Sequence, residues 1–144
     1  GGSWSSGTVY ASGNSGLFTS LAFGPDGQPA ISYWDNTNGD LRFAGFGTGG
    51  SGEIIDAEGN TGSHTSLDFG PDGQPAVSYH DTTRNVLRFA RINNGSWVTV
   101  TVDAEQFTGT FTSLAFGPNG QPAISYWESV NGDLRFAQRY VPTP

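Results

Sequence analysis

The chain has 144 residues and a net charge of −7, with no Cys, no Met and 6 strong cations, all of them Arg. That balance excludes a phosphate-gripping surface, which needs clustered Lys or Arg, and it opposes docking on anionic membranes. The absence of Cys removes disulfides, zinc–thiolate sites and thiol chemistry.

No apolar run approaches the roughly 20 residues of a membrane-spanning helix. No signal peptide and no initiator Met are visible, so Gly1 reads as a trimmed or engineered start. Aromatic residues make up 13% of the chain, and they recur in register, which argues for a packed core. The 22 Gly and 8 Pro punctuate short segments, as in a protein of many strands and tight turns.

In chain order, the first candidate element is Gly2-Ser3-Trp4 through Thr8-Val9. It aligns with Gly95-Ser96-Trp97 through Thr101-Val102 further along. The next strand runs through Leu21 and Phe23. A Gly-Pro-Asp-Gly-Gln-Pro segment then favours a tight reversal, because Pro presets one turn position and Asp-Gly suits another. Alternation of apolar and polar residues predicts a second strand at Ala30–Asp35, and a third follows at Leu41–Phe46. Asn36-Thr37-Asn38-Gly39 is the turn between them.

The same pattern returns at Thr65–Ala90 and Thr112–Ala137, offset from Thr19–Ala44 by 46 and then a further 47 residues. Ser96–Asp103 (SWVTVTVD) is a clear fourth strand, with a weaker counterpart at Glu53–Asp56. The expected organisation is therefore one repeat domain over 1–144, with repeats at about 2–48, 49–94 and 95–141. Each repeat begins with the outer strand of the preceding unit.

Four strands in a repeat of about 40–50 residues are the signature of a β-propeller blade. The Leu-Ala-Phe-Gly-Pro-Asp-Gly segment resembles the innermost strand and turn of WD40 blades. The Gly-His and terminal Trp-Asp marks of that family are absent, and Trp34-Asp35 lies in the second strand. The repeats also resemble "ISYxDxxNGDL" arrays of bacterial propeller proteins. In architecture alone, the design is similar to short-chain propeller lectins. The resemblance implies an all-β protein with three four-stranded blades per chain, in a bacterial extracellular or cell-surface setting.

Propellers typically close with 4–8 blades. Three would leave an apolar flank at each end, so the expected solution is a homodimer of six blades. In it, the N-terminal strand of each chain completes the last blade of the other. A fragment of a longer propeller is the alternative.

Several residue types recur where the second and third strands meet their loops. Trp34, His80 and Trp127 end the second strands, and Asp35, Asp81 and Glu128 follow them. Arg42, Arg88 and Arg135 lie on the third strands, while Phe18, His64 and Phe111 enter the first. A ring beside a carboxylate and a guanidinium can stack on a pyranose and hydrogen-bond its hydroxyls. The same rings can equally pack between neighbouring blades, and the Arg–carboxylate pairs can satisfy each other. Tyr33, Tyr79 and Tyr126 read as core.

The middle repeat carries His64 and His80 where the others carry Phe and Trp. With Asp81 they form a candidate metal set, because imidazole suits zinc, copper or nickel. Asp35–Asp40 superficially resembles a calcium loop but lacks its final Glu, and a hairpin turn explains it better. The pairs Asp56/Glu58 and Asp103/Glu105 read as turn features rather than as a glycosidase dyad. No Gly-x-Ser-x-Gly elbow is present. These observations predict a non-catalytic, multivalent binding module with no cofactor, binding glycans by repetition of weak sites. A structural or protein-interaction scaffold, natural or engineered, is the rival reading.

Overall fold

The computed structural model describes residues 1–48 and 52–142 of the chain. Strands β1 (Ser15–Phe23), β2 (Pro29–Asp35), β3 (Asp40–Gly45) and β4 (Glu53–Asp56) form one antiparallel meander, sheet I. Strands β5 (Thr61–Phe69), β6 (Pro75–Asp81), β7 (Val86–Asn93) and β8 (Ser96–Asp103) form sheet II. Strands β9 (Thr108–Phe116), β10 (Pro122–Glu128) and β11 (Asp133–Gln138) form sheet III. The chain is therefore all-β, with sheets of four, four and three antiparallel strands among the described residues. The only helix among them is a 3-10 turn of 3 residues at Phe46–Thr48, and none is long and apolar enough to cross a membrane.

The Gly-Pro-Asp/Asn-Gly segments make the reversals expected of them. In the first, Gly27 donates its N–H to the Gly24 carbonyl and sits at φ 76°, where a side chain would be strained. The Asp26 carboxylate accepts the Gln28 N–H at 3.0 Å and pins the turn. Asp72 and Asn119 repeat that bond in sheets II and III.

The sheets stack side by side, with β1, β5 and β9 adjacent. One apolar cluster fills the space between sheets I and II around Leu41, Val77 and Tyr79. A second lies between sheets II and III around Leu87, Leu114 and Tyr126. Burial of a Leu of this kind is worth about 1.5–3 kcal/mol. Polar contacts fix the spacing. The Leu67 N–H donates to Ser20 Oγ, and the Leu114 N–H donates to Ser66 Oγ, each at 2.9 Å. Gly62 lies so close to β3 that an added Cβ would meet Leu41 Cα at 2.7 Å, and Gly109 stands likewise over Leu87.

The outer flanks carry the same residue types without cover. Leu41 and Leu87 are 0% exposed, whereas Leu134, their counterpart in sheet III, is 84% exposed. On the opposite flank Leu21 and Phe23 of β1 are exposed, although the equivalent Leu67 and Leu114 are buried. Residues 1–14 form no strand in the single chain, unlike the expectation for 2–9. A lone segment has no ladder to join unless a neighbouring edge accepts it. Part of this segment nevertheless has a definite place: Tyr10 lies against Tyr33 with ring centroids 6.0 Å apart, and the Arg42 guanidinium sits 5.2 Å from the Tyr10 ring.

Candidate functional site

Each second strand has two ends, and chemistry gathers at both. At the far end of β2, the Asp35 carboxylate receives the Thr37 and Asn38 N–H groups and the Asn38 side-chain amide. Arg42 Nε approaches it at 3.0 Å. Burial alone would raise the Asp35 carboxyl, but the Asn38 hydrogen bonds and the Arg42 charge hold it below its ordinary value. Asp81 repeats the arrangement with Arg84 at 2.7 Å and Arg88 at 3.7 Å. Glu128 caps its own turn through Val130 and Asn131, and Arg135 turns instead to Asp103 and Glu105. Asp35, Asp81 and Glu128 are all fully buried. The structure thus brings each predicted carboxylate into its own loop and spends its lone pairs there.

The aromatic members behave similarly. Trp34 is half-buried and its Nε1 donates to Asn60 Oδ1 at 3.1 Å. His80 Nδ1 lies 3.0 Å from the Thr108 carbonyl. Trp127 is exposed on the open flank. Phe18, His64 and Phe111 form a continuous row across the three first strands, with centroids 4.4 and 4.6 Å apart. All three adopt left-handed backbone, at φ 52°, 54° and 53°. Such geometry costs about 1–3 kcal/mol for each non-Gly residue, and the ring contacts offset it. A register shift in each first strand makes this possible.

His64 and His80 do come together, with centroids 6.4 Å apart. Burial and the neighbouring His80 push the His64 pKa down, and burial does the same to His80. The candidate metal set with Asp81 does not come together. The Asp81 carboxylate points to Arg84 and Arg88, and no group of three His, Asp or Glu among the described residues could hold an ion.

Sequence reasoning missed the partner of the tyrosines. Tyr79 Oη donates to Asp56 Oδ2 at 2.6 Å, and Tyr126 Oη donates to Asp103 Oδ2 at 2.7 Å, each crossing from one sheet to the previous one. The spacing of 23 residues in both pairs is the signal that could have found it. The same carboxylates cap the turns at Glu58 and Glu105, as the turn reading expected.

Sequence reasoning also missed the other end of the strands. Between the reversals of sheets I and II lies a groove of about 490 Å³. Phe43, Phe69 and Trp97 wall it, and Asp26, Gln28 and Glu53 stand at its edge. The Phe43 and Trp97 rings are 5.5 Å apart. The Trp97 Nε1 is buried without a hydrogen-bond partner. Among the described residues, the Gln28 amide and the Glu53 carboxylate likewise make no hydrogen bond or ion pair. A smaller cavity of about 140 Å³ occupies the equivalent place between sheets II and III. It is lined by Phe89, Phe116 and Gln121, and Gln121 Oε1 is also buried without a partner.

Stacked antiparallel meanders of four, four and three strands, in contact through their first strands, define the class of fold. Among solved structures, the chain is similar to a fucose lectin from Kordia zhangzhouensis, determined in complex with methyl-fucoside. The match has a TM-score of 0.52 at 13% identity and covers 84% of this chain and 91% of that one. At that identity the likeness concerns the fold. No protein-family model matches the chain, and no curated protein does.

Proposed function

We propose that the chain is a non-catalytic, multivalent carbohydrate-binding module, and that its sheets are blades of a six-bladed propeller closed by two chains. The observation that carries the sugar reading is the groove between sheets I and II. It combines aromatic walls with polar groups that the fold leaves unengaged. A pyranose presents a C–H face that stacks on a ring and hydroxyls that both donate and accept. Glu53 accepts and Gln28 both donates and accepts, so the two match sugar hydroxyls beside the Trp97 ring. The likeness in fold to a fucose lectin supports the same class of ligand.

The uncovered flanks support this assembly. Whole copies of a three-sheet chain give multiples of three, and six is the one multiple within the usual range of 4–8 blades. Repetition then raises avidity without requiring any single groove to bind tightly. An array of immobilised glycans tests the reading. Labelled protein is expected to bind one class of hexopyranoside and to be displaced by the corresponding free methyl glycoside. Absence of binding across the array at high protein density would overturn it.

A further inference from the structure

We infer that residues 3–10 of a second copy pair with β11 as the fourth strand of sheet III, placing the second copy's Trp4 at the groove between sheets II and III. The inference deepens the two-chain closure proposed above and rests on that reading, and it takes the groove as a sugar site.

Three independent observations lead to the second copy. First, the edge of β11 is unpaired among the described residues, whereas β7 pairs with β8 along its length. The sequence of β8 has its counterpart in residues 3–10, with Trp4 in the phase of Trp97. Trp4 is 102% exposed in the single chain, so nothing within that chain competes for it. Carrying over the β7–β8 register, in which Ile92 faces Trp97 and Arg91 faces Val98, sets Trp4 opposite Arg139 and Ser5 opposite Gln138.

Second, the two exposed flanks are conjugate residue by residue. Leu41 and Leu87 are covered by Gly62 and Gly109 of the next sheet. Leu134 stands exposed in their position, and Gly16, the counterpart of those glycines, has nothing within 4 Å. The second copy's Gly16 fits over Leu134. Trp127 repeats Trp34, and Asn14 repeats Asn60, so the Trp34–Asn60 hydrogen bond can form again between the two chains.

Third, Tyr10 already stands where a preceding fourth strand would put it. Asp56 and Asp103 meet Tyr79 and Tyr126 from the previous sheet, and Tyr10 is their counterpart facing Tyr33. Tyr33 Oη is buried without a hydrogen-bond partner because this seam carries Tyr in place of Asp. One segment therefore contacts its own sheet I and, in the same phase, suits the β11 edge of another chain.

The groove between sheets II and III is incomplete without that partner. In the groove between sheets I and II, Trp97 of the fourth strand closes over Phe43. Sheet III offers no such ring among the described residues, and Trp4 of the second copy supplies it beside Phe89.

The Cys-free chain makes the register testable. A Ser5→Cys, Gln138→Cys double variant is expected to form a disulfide between two chains under mild oxidation, at a light-scattering mass of two chains. A single-chain mass, a disulfide within one chain, or a larger ring would overturn the inference. In the wild type, methyl-fucoside and the methyl glycosides of glucose, galactose and mannose are titrated in parallel. Trp4→Ala is expected to lower the number of glycoside sites by one per chain, and an unchanged number would remove Trp4 from the groove. If wild-type protein binds no glycoside but the interchain disulfide forms, the sugar reading fails and the strand exchange stands. If glycoside binds but the chains do not link, the reverse holds.

Discussion

The two ends of β2 are built from similar residue types and put to opposite uses. At the Asp35 end, the carboxylate accepts from the Asn38 amide and pairs with the Arg42 guanidinium at 3.0 Å, and the Trp34 indole N–H donates to Asn60. At the Pro29 end, Gln28 and Glu53 border an open groove and engage nothing among the described residues, and the Trp97 Nε1 is buried behind the groove without a partner. Buried polar groups are normally satisfied, so the first end is explained by folding alone. The second end retains hydrogen-bonding capacity beside aromatic surface, which is what a hydroxylated ligand requires.

The largest expected effect breaks the saturated end. Asp35→Ala removes the partner of Arg42, whose side chain is 11% exposed, and also the cap of the Asn38 turn. Loss of one member of a buried pair typically costs about 3–5 kcal/mol. Urea denaturation should show a loss of that order, while glycoside affinity of the folded protein stays unchanged. A drop in affinity without a drop in stability would reverse the assignment of the two ends.

Next in size is the groove itself. Trp97→Ala should weaken glycoside binding by at least about tenfold, equivalent to roughly 1.4 kcal/mol. Glu53→Gln keeps the shape and removes the charge on an exposed residue, so stability should be preserved while affinity falls. Isothermal titration of the two variants separates the stacking and hydrogen-bonding contributions. Equal affinity in both variants and wild type would show that the groove is not the site.

The same contrast explains what was legible in the sequence. Periodicity and turn chemistry are local, so Pro29–Asp35 and its repeats, the Gly-Pro-Asp/Asn-Gly reversals and Ser96–Asp103 could be read directly. The pairing of His64 with His80 followed from the hairpin. Whether a side chain remains available is not local. Asp81 is captured within its own hairpin by Arg84 and Arg88, but the Trp34 indole is engaged by Asn60, 26 residues on. The groove brings residues from β3, β5 and β8 together with two reversals, and Trp97 reads in the sequence only as a strand residue. Residues 2–9 carry a strand pattern with no ladder in their own chain, and a strand needs an edge to pair with.

The smallest effect concerns acid, and it probes the saturated end through its two imidazoles. Burial pushes both His64 and His80 below the ordinary histidine pKa. His64 is packed between Phe18 and Phe111 and faces His80. His80 faces the Thr108 carbonyl and the Asp81 carboxylate, which partly counter its shift. Both rings therefore take up protons at lower pH in the folded protein than in the unfolded chain, which protonates below about pH 6.5. The unfolded state thus binds more protons in that range, and stability falls as pH falls below it. Urea midpoints should be level above pH 7 and decline between pH 6.5 and 5. His64→Phe restores the residue found at this position in the other two repeats and should flatten the decline, since it removes one of the two depressed imidazoles. An unchanged slope in that variant would assign the acid sensitivity to the carboxylate pairs instead.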